Sequence, residues 1–558
     1  MEAQRSQFAI KCLPSLTDFA FLLPIAFLFG RMEGVKTLLS DCDTGWHIRT
    51  GDWILANHLV PRHDVFSFSK PGGIWFAWEW LSDVILAGLN NLGGLRAVVL
   101  FSILLLAVTF ALLFRLVLRH CNPVVGILIT TAAAAASSVH WLARPHLFTM
   151  LFLVLFLFAL ERVREGQSRI AGIPYYVLLP LATILWTNLH GGFIVGILLC
   201  GAYCAGELLK IAFSVHPEER RPAALQARAY GGTGLACLAA SLVNPYGYHL
   251  HIHLFQYLRD PYASQHIEEF FSLSFHHPVA IFFEILLLLS AVSVFWYASR
   301  RRFTEVLLLL VFAHAALLAA RNIPLFAIVA APLVAAPIEA WLAGLPRLEV
   351  AGWLRTAAAR GNDIVARTAA TDALPRWHVV SAAAVALVAA LLFAPHPPRG
   401  FRSEYDPKSY PAKAVELLRR DPSARIFTND EWGDYLIWRL YPAGRVFVDG
   451  RSDFYGSDFE NQYIDVLNVK YDWEKTLDRF GVDTILLPPG TPLSGALKET
   501  SRWRVVYDDG VALVFRPVEK TAGKSSSVAL PGGGAGRDRE VTKTTASDQA
   551  ITREIPNT

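Results

Sequence analysis

Asp41 and Asp43 stand two residues apart in Asp41-Cys42-Asp43-Thr44-Gly45-Trp46-His47, directly after an apolar run, with His47 four residues beyond the second acid. In a turn that enters a helix, the two carboxylates converge on one point with the imidazole near it. Such a pair can act as a base on a hydroxyl, or hold a divalent cation such as Mg²⁺ or Mn²⁺. The plainer alternative is that Asp41 caps the following helix and both acids face water. The segment continues through Gly51, Pro61 and Asp64 into the aromatic run Trp75 to Trp80, which carries Glu79.

Further polar clusters sit at the ends of apolar runs: Arg144-Pro145-His146, Asn188-Leu189-His190-Gly191-Gly192, Asn244-Pro245-Tyr246-Gly247 and Arg321-Asn322-Ile323-Pro324. A guanidinium grips phosphate oxygens in a fork and stays charged near lipid, so Arg144 and Arg321 are candidates for a lipid-linked phosphate, with Asn322 beside the second. Snorkelling toward the interface is the competing account of either arginine. His190 precedes a glycine pair where backbone can approach a ligand, although glycine pairs also serve helix packing alone. Arg321 and His190 rank above His146 as contacts. Nearer the C-terminus, Asn429-Asp430-Glu431-Trp432-Gly433-Asp434-Tyr435 and Val448-Asp449-Gly450-Arg451-Ser452-Asp453 place acidic turns after expected strands. Such turns are common ligand positions in α/β folds, which makes Asp434, Asp449 and Arg451 candidates. Asp and Gly also end strands and cap helices without touching any ligand.

The elements that must position these residues follow from composition. Of 558 residues, 53% are hydrophobic and 18% charged, against about a quarter charged in a soluble domain. Apolar segments fall near 18–38, 96–118, 123–139, 146–160, 173–188, 192–213, 229–243, 278–298, 303–319, 323–343 and 377–394. An α-helical polytopic membrane protein of about 11 to 12 spans follows. That excludes a cytoplasmic enzyme, a nucleic-acid binder or a disordered scaffold as an account of the whole chain. The net charge of +4 points to no polyanion partner.

Charge placement gives topology. Lys and Arg collect at Arg115/Arg119, 161–169, 210–228, 300–302 and 347–376, and the positive-inside rule makes those linkers cytoplasmic. Residues 1–17 are then a cytoplasmic N-terminus, since the first apolar run lacks a small-residue cleavage site and reads as a retained span. Residues 18–395 form the transmembrane domain, with a first outward loop at 39–80. Linkers 140–145, 189–191, 244–277 and 320–322 share its face. Trp75 to Gly94 carries Glu79, Asp83, Asn90 and Asn91 and reads as lying at the interface; a full crossing there reverses every later linker.

Beyond residue 395, residues 396–518 read as a small extracytoplasmic α/β domain. Short helices are expected at 411–422 and 432–441, and strands at 425–428, 445–448, 482–487, 502–507 and 511–515. Residues 519–558, rich in Ser, Thr, Gly and Lys, read as a disordered tail. The cysteines at 12, 42, 121, 200, 204 and 237 include no CxxC pair and suggest neither a disulfide framework nor a zinc site.

Residues 15 to 345 resemble the membrane glycosyltransferases of the GT-C superfamily, which take a sugar from a polyprenyl-phosphate carrier on the outer side of the membrane. An acidic pair in the first outward loop is a family feature. Asp41, Asp43 and His47 match the dolichyl-phosphate-glucose-dependent members, and Trp78-Glu79-Trp80 resembles the aromatic loop of bacterial members. The resemblance implies a GT-C-like fold in the cell inner membrane, with Asp41 as the catalytic base. It also implies a lipid-linked sugar donor and a glycan, lipid or protein acceptor. Trp432-Gly433-Asp434-Tyr435 is similar to the acceptor-binding motif of oligosaccharyltransferases but departs from it at two of five positions. Two rivals remain. A transporter or flippase would place ionisable groups mid-span rather than at span ends. A non-catalytic envelope assembly protein would leave the acidic loop merely solvated.

Overall fold

Apolar runs long enough to cross a bilayer coil into helices because lipid offers the backbone no other hydrogen-bond partner. The computed structural model describes residues 10–214, 216–344, 352–372 and 374–518. Residues up to Pro517 pack as one unit. The expected tail at 519–558 and the first nine residues lie outside the described residues.

Seven described helices have the length and apolarity of membrane spans: Ile10–Gly30, Leu95–Val117, Pro123–His140, His146–Arg164, Phe193–Phe213, Ala280–Ala298 and Ala320–Gly344. Tyr175–Leu189, Phe303–Leu318 and Val379–Leu392 are shorter apolar helices. The chain is a multi-pass helical membrane protein. The first span starts from a capping box in which Ser15 and Asp18 satisfy each other's backbone N–H. Asp18 also accepts from Ser381 at 2.6 Å, which fastens the last apolar helix to the first.

Three expected segments differ. The 18–38 run stops at Gly30, because Gly34 turns at φ +67° beside Gly400, whose carbonyl a Cβ there would meet at 2.3 Å. The 229–243 run is the apolar second half of one helix, Pro217–Ala240, that begins in polar sequence. Trp75 to Gly94 is an extended aromatic stretch followed by the helix Trp80–Gly93. Its 14 residues rise about 21 Å, short of the ~30 Å hydrocarbon core. That helix packs on Asp43–Asn57 at Gly51, where a Cβ would stand 2.0 Å from the Asp83 carbonyl oxygen.

The C-terminal part carries a four-stranded sheet in the order Ile426–Phe427, Thr484–Leu487, Leu513–Pro517, Trp503–Asp508; the first pair is parallel and the others antiparallel. The strand expected at 445–448 forms no ladder there. Val446 bridges singly to Ile426 and to Ser67. Its N–H donates to the Phe66 carbonyl and its carbonyl accepts from Phe68 N–H, both at 3.0 Å. Its backbone is spent on the loop between the first two spans. Ser69 Oγ donates to the Phe447 carbonyl at 2.5 Å, and Lys70 Nζ to the Phe454 and Tyr455 carbonyls at 2.9 Å. The sheet is thereby fastened to the loop that carries Asp41 and Asp43.

Candidate active site

The helix Asp43–Asn57 begins at Cys42 with no side-chain cap, and the one backbone N–H given to Asp41 among the described residues is that of Asp43, at 3.3 Å. Helix capping therefore does not explain the acidic pair. Both carboxylates turn instead to Arg144: Nη1 lies 2.9 Å from Asp41 Oδ2 and Nη2 2.5 Å from Asp43 Oδ2. The same guanidinium lies 3.7 Å from Glu269, whose other oxygen lies 2.9 Å from Arg321. Arg321 also stacks over Phe270 at 4.5 Å. Four linkers, far apart in sequence, thus contribute one line of alternating charge. Burial raises Asp41 to about 6 against the pull of Arg144, and raises Asp43 as well. Burial pushes Glu269 up too, but Arg321 and Arg144 overcome it and hold that carboxyl below its ordinary value.

A second group lies beside this line. His47, 1% exposed, has Nδ1 at 2.7 Å from Asp83 Oδ1 and Nε2 at 3.5 Å from Glu79 Oε2. Glu79 Oε1 lies 3.3 Å from His190 Nε2, and His190 Nδ1 lies 2.7 Å from Thr149 Oγ1. Burial drives Glu79 up to about 8 and Asp83 well above the carboxylate range, while it lowers both imidazoles, His190 to about 3.

The two groups meet in a cavity of about 360 Å³. Asp43, His47, Glu79, Arg144, His146, His190, Arg321, Asn322 and Arg451 line it. Its other wall is apolar, with Ile194, Val195, Leu198, Leu254, Leu258 and Leu325. A cavity half ionic and half aliphatic suits a ligand with a charged head and a hydrocarbon tail.

Several expected site residues stand elsewhere. Asp41 does not line the cavity and reaches it only through Arg144, so Asp43 is the acidic residue facing it. Asp449 is fully buried and saturated: Arg451 Nε at 2.7 Å, Arg451 Nη2 at 2.7 Å and the Tyr455 hydroxyl at 2.8 Å occupy its oxygens. Arg451 closes on Asp449 and on Asp64 at 2.8 Å and stacks over Trp75 at 4.4 Å. Asp434 lies behind Gly450, accepting its N–H at 2.9 Å. A Cβ on Gly450 would stand 2.7 Å from both Asp434 Oδ2 and Asp43 Oδ1, so only glycine lets the two parts of the chain approach this closely. The Asn322 amide is tied to the Ala315 carbonyl at 3.0 Å, and His146 Nε2 to the His140 carbonyl at 3.1 Å. The Asn244 cluster supports the loop from outside: the Tyr246 hydroxyl donates to the Pro61 carbonyl at 2.8 Å. Glu269 was not singled out from sequence, and only its place in an outward linker hinted at it. Asp83 carried a signal, an acid inside an apolar run.

A divalent cation between Asp41 and Asp43 does not fit this arrangement, because the Arg144 guanidinium already bridges the two carboxylates. Among the described residues, no three His, Cys, Asp or Glu side chains converge as metal ligands do.

The helical membrane body, the sheet packed on its first loop and the half-ionic cavity define a class that comparison with solved structures makes specific. No family model and no curated protein matches the chain. The archaeal oligosaccharyltransferase AglB of Archaeoglobus fulgidus, in complex with an inhibitory peptide and a dolichol-phosphate, superimposes with a TM-score of 0.56 at 10% identity, over 91% of this chain and 74% of that one. The apo form of the Archaeoglobus fulgidus oligosaccharyltransferase gives 0.55 at 9% identity over 84% and 69%, and its complex with Zn and sulfate gives 0.52 at 11% over 85% and 68%. At such identity the likeness is one of fold. The chain shares the fold of these oligosaccharyltransferases, in keeping with the helical membrane fold expected from the sequence.

Proposed function

We propose that this protein is a membrane glycosyltransferase that takes a sugar from a polyprenyl-phosphate-linked donor and delivers it to an acceptor on the extracytoplasmic side of the cell inner membrane. The observation that carries the reading is the cavity, where Asp43, Arg144 and Arg321 face an aliphatic wall. The carrier chain lies along Ile194, Leu198 and Leu325, and its phosphate meets the arginines. Arg321 is the better phosphate ligand, because Arg144 is already shared among three carboxylates. Asp43 takes the proton of the acceptor hydroxyl as the hydroxyl oxygen attacks the anomeric carbon, and one direct displacement inverts the configuration there. Arginine charge stabilises the departing phosphate where negative charge develops. The segment 396–518 forms the roof through Gly450 to Asp453, which suits presentation of an acceptor. A dolichol-phosphate and a peptide are bound by AglB; the carrier here is proposed to be of the first kind, with the acceptor a glycan, a lipid or a protein.

The test is transfer by the purified full-length protein from a panel of polyprenyl-phosphate-linked sugars, with products identified by mass. Transfer from at least one donor, lost in Asp43→Asn, is expected. No product from any donor, or full turnover by Asp43→Asn, overturns the reading.

A further inference from the structure

Sugar transfer by Asp43 leaves Glu79, another carboxyl group of the cavity, unused. Glu79 is held between two imidazoles, and the proton position on one of them follows from geometry. The Gly192 backbone N–H donates to His190 Nδ1 at 2.9 Å, so Nδ1 carries a lone pair and Nε2, 3.3 Å from Glu79 Oε1, carries the hydrogen. On the other side, His47 connects Glu79 to Asp83, which is 1% exposed and whose Oδ2 has no hydrogen-bond partner among the described residues. A proton shared by Asp83 and Glu79 then has two arrangements of equal charge. In one, protonated Glu79 faces the lone pair of His47 Nε2 while His47 Nδ1–H faces an ionised Asp83. In the other, Asp83 holds the proton, His47 carries its hydrogen on Nε2, and Glu79 is ionised. Arg144 and Arg321 act on Glu79 from across the cavity, and Asp43 and Asp453 oppose its ionisation. Burial, the largest influence, keeps the carboxyl protonated to about pH 8.

Resting on the glycosyltransferase reading, we propose that Glu79 is the general acid of this site, giving its proton to the phosphate oxygen that leaves as the sugar is transferred. The acceptor O–H bond breaks and its proton passes to Asp43 as the acceptor oxygen bonds the anomeric carbon. The bond between that carbon and the phosphate oxygen breaks, its electron pair stays on oxygen, and the Glu79 proton joins it. Asp83 refills Glu79 through His47, and the proton left on Asp43 returns to the pair through solvent. Two carboxyl groups of one cavity, one ion-paired and one kept neutral, divide base and acid work between them. His47 and Asp83 are positioning residues that set the Glu79 proton.

The experiment is calorimetric titration of the full-length protein in detergent with farnesyl phosphate, a short mimic of the leaving group, from about pH 6 to 9.5. A protonated Glu79 accepts the phosphate dianion and an ionised one repels it. Binding should therefore hold steady to about pH 8 and weaken by roughly tenfold per pH unit above it. Glu79→Gln should give a flat profile. Asp83→Asn should move the midpoint, because it removes the buried carboxyl that exchanges a proton with Glu79 through His47. An infrared carboxyl band titrating near pH 8 in the unsubstituted protein is expected independently of any variant. The same alkaline fall in Glu79→Gln, an unmoved midpoint in Asp83→Asn, or absence of the band overturns the acid assignment and leaves the lipid-phosphate reading standing. Absence of farnesyl phosphate binding at every pH overturns that reading, and this assignment with it.

Discussion

Two arginines that line one cavity do different work, and their partners show why. Arg451 is enclosed by Asp449 and Asp64, with Phe66, Trp75 and Phe454 within 5.0 Å of its guanidinium. Two anions and three aromatic rings enclose one cation, of which Nη1 alone lacks a hydrogen-bond partner among the described residues, and the result is a closed joint between the 39–80 loop and the C-terminal segment. Arg144 is shared among Asp41, Asp43 and Glu269, and its side chain keeps 20% exposure on the cavity. Its guanidinium stays open to the cavity, where a ligand can reach it. A closed cluster holds parts together; an open one is available for binding and proton transfer.

The comparison breaks first at the closed joint. Arg451→Met should strand Asp449 and Asp64 without a cation, at a cost of about 3–5 kcal/mol. Thermal melting in detergent and protease cleavage within 396–518 would report it, and an unchanged melting temperature would show that the joint is not structural. Next is Asp43→Asn, which should leave melting unchanged and lower turnover by about a hundredfold or more, within the usual range for a general base. Asp41→Asn should cost less, since Asp41 acts only through Arg144; the reverse order would return the base to Asp41. Arg321→Lys should weaken farnesyl phosphate binding by about tenfold, because an ammonium cannot reproduce the two-pronged contact. Gly450→Ala forces Asp43 and Asp434 apart and should lower turnover by roughly tenfold through misplacement alone.

A further effect is on stability against pH. Glu79 has its folded value raised from 4.5 to about 8 by burial, so the folded state binds more protons than the unfolded one in that window. Stability is therefore greatest below pH 4.5 for this group and is lost as pH rises toward 8. The melting temperature should fall more steeply across that window in the unsubstituted protein than in Glu79→Gln. Parallel slopes would mean that Glu79 is not held neutral in the fold.

Membrane class and approximate span positions were legible in the sequence, because water exclusion acts residue by residue along the chain. The acidic pair was legible too, and so were both arginines, since carboxylates and guanidiniums beside apolar runs stand out locally. Tertiary structure alone chose Asp43 over Asp41 to face the cavity, through a helix start that turns one inward and leaves the other behind Arg144. It alone brought Glu269 from a linker without distinguishing pattern to sit between Arg144 and Arg321. The 445–448 segment has strand-like composition, yet its hydrogen bonds run largely to a loop almost four hundred residues earlier. Apolarity and charge are properties of single residues and survive in a string of letters. Which carboxyl is paired, neutral or exposed depends on distances between segments remote in sequence, and those distances exist only once the helices have packed.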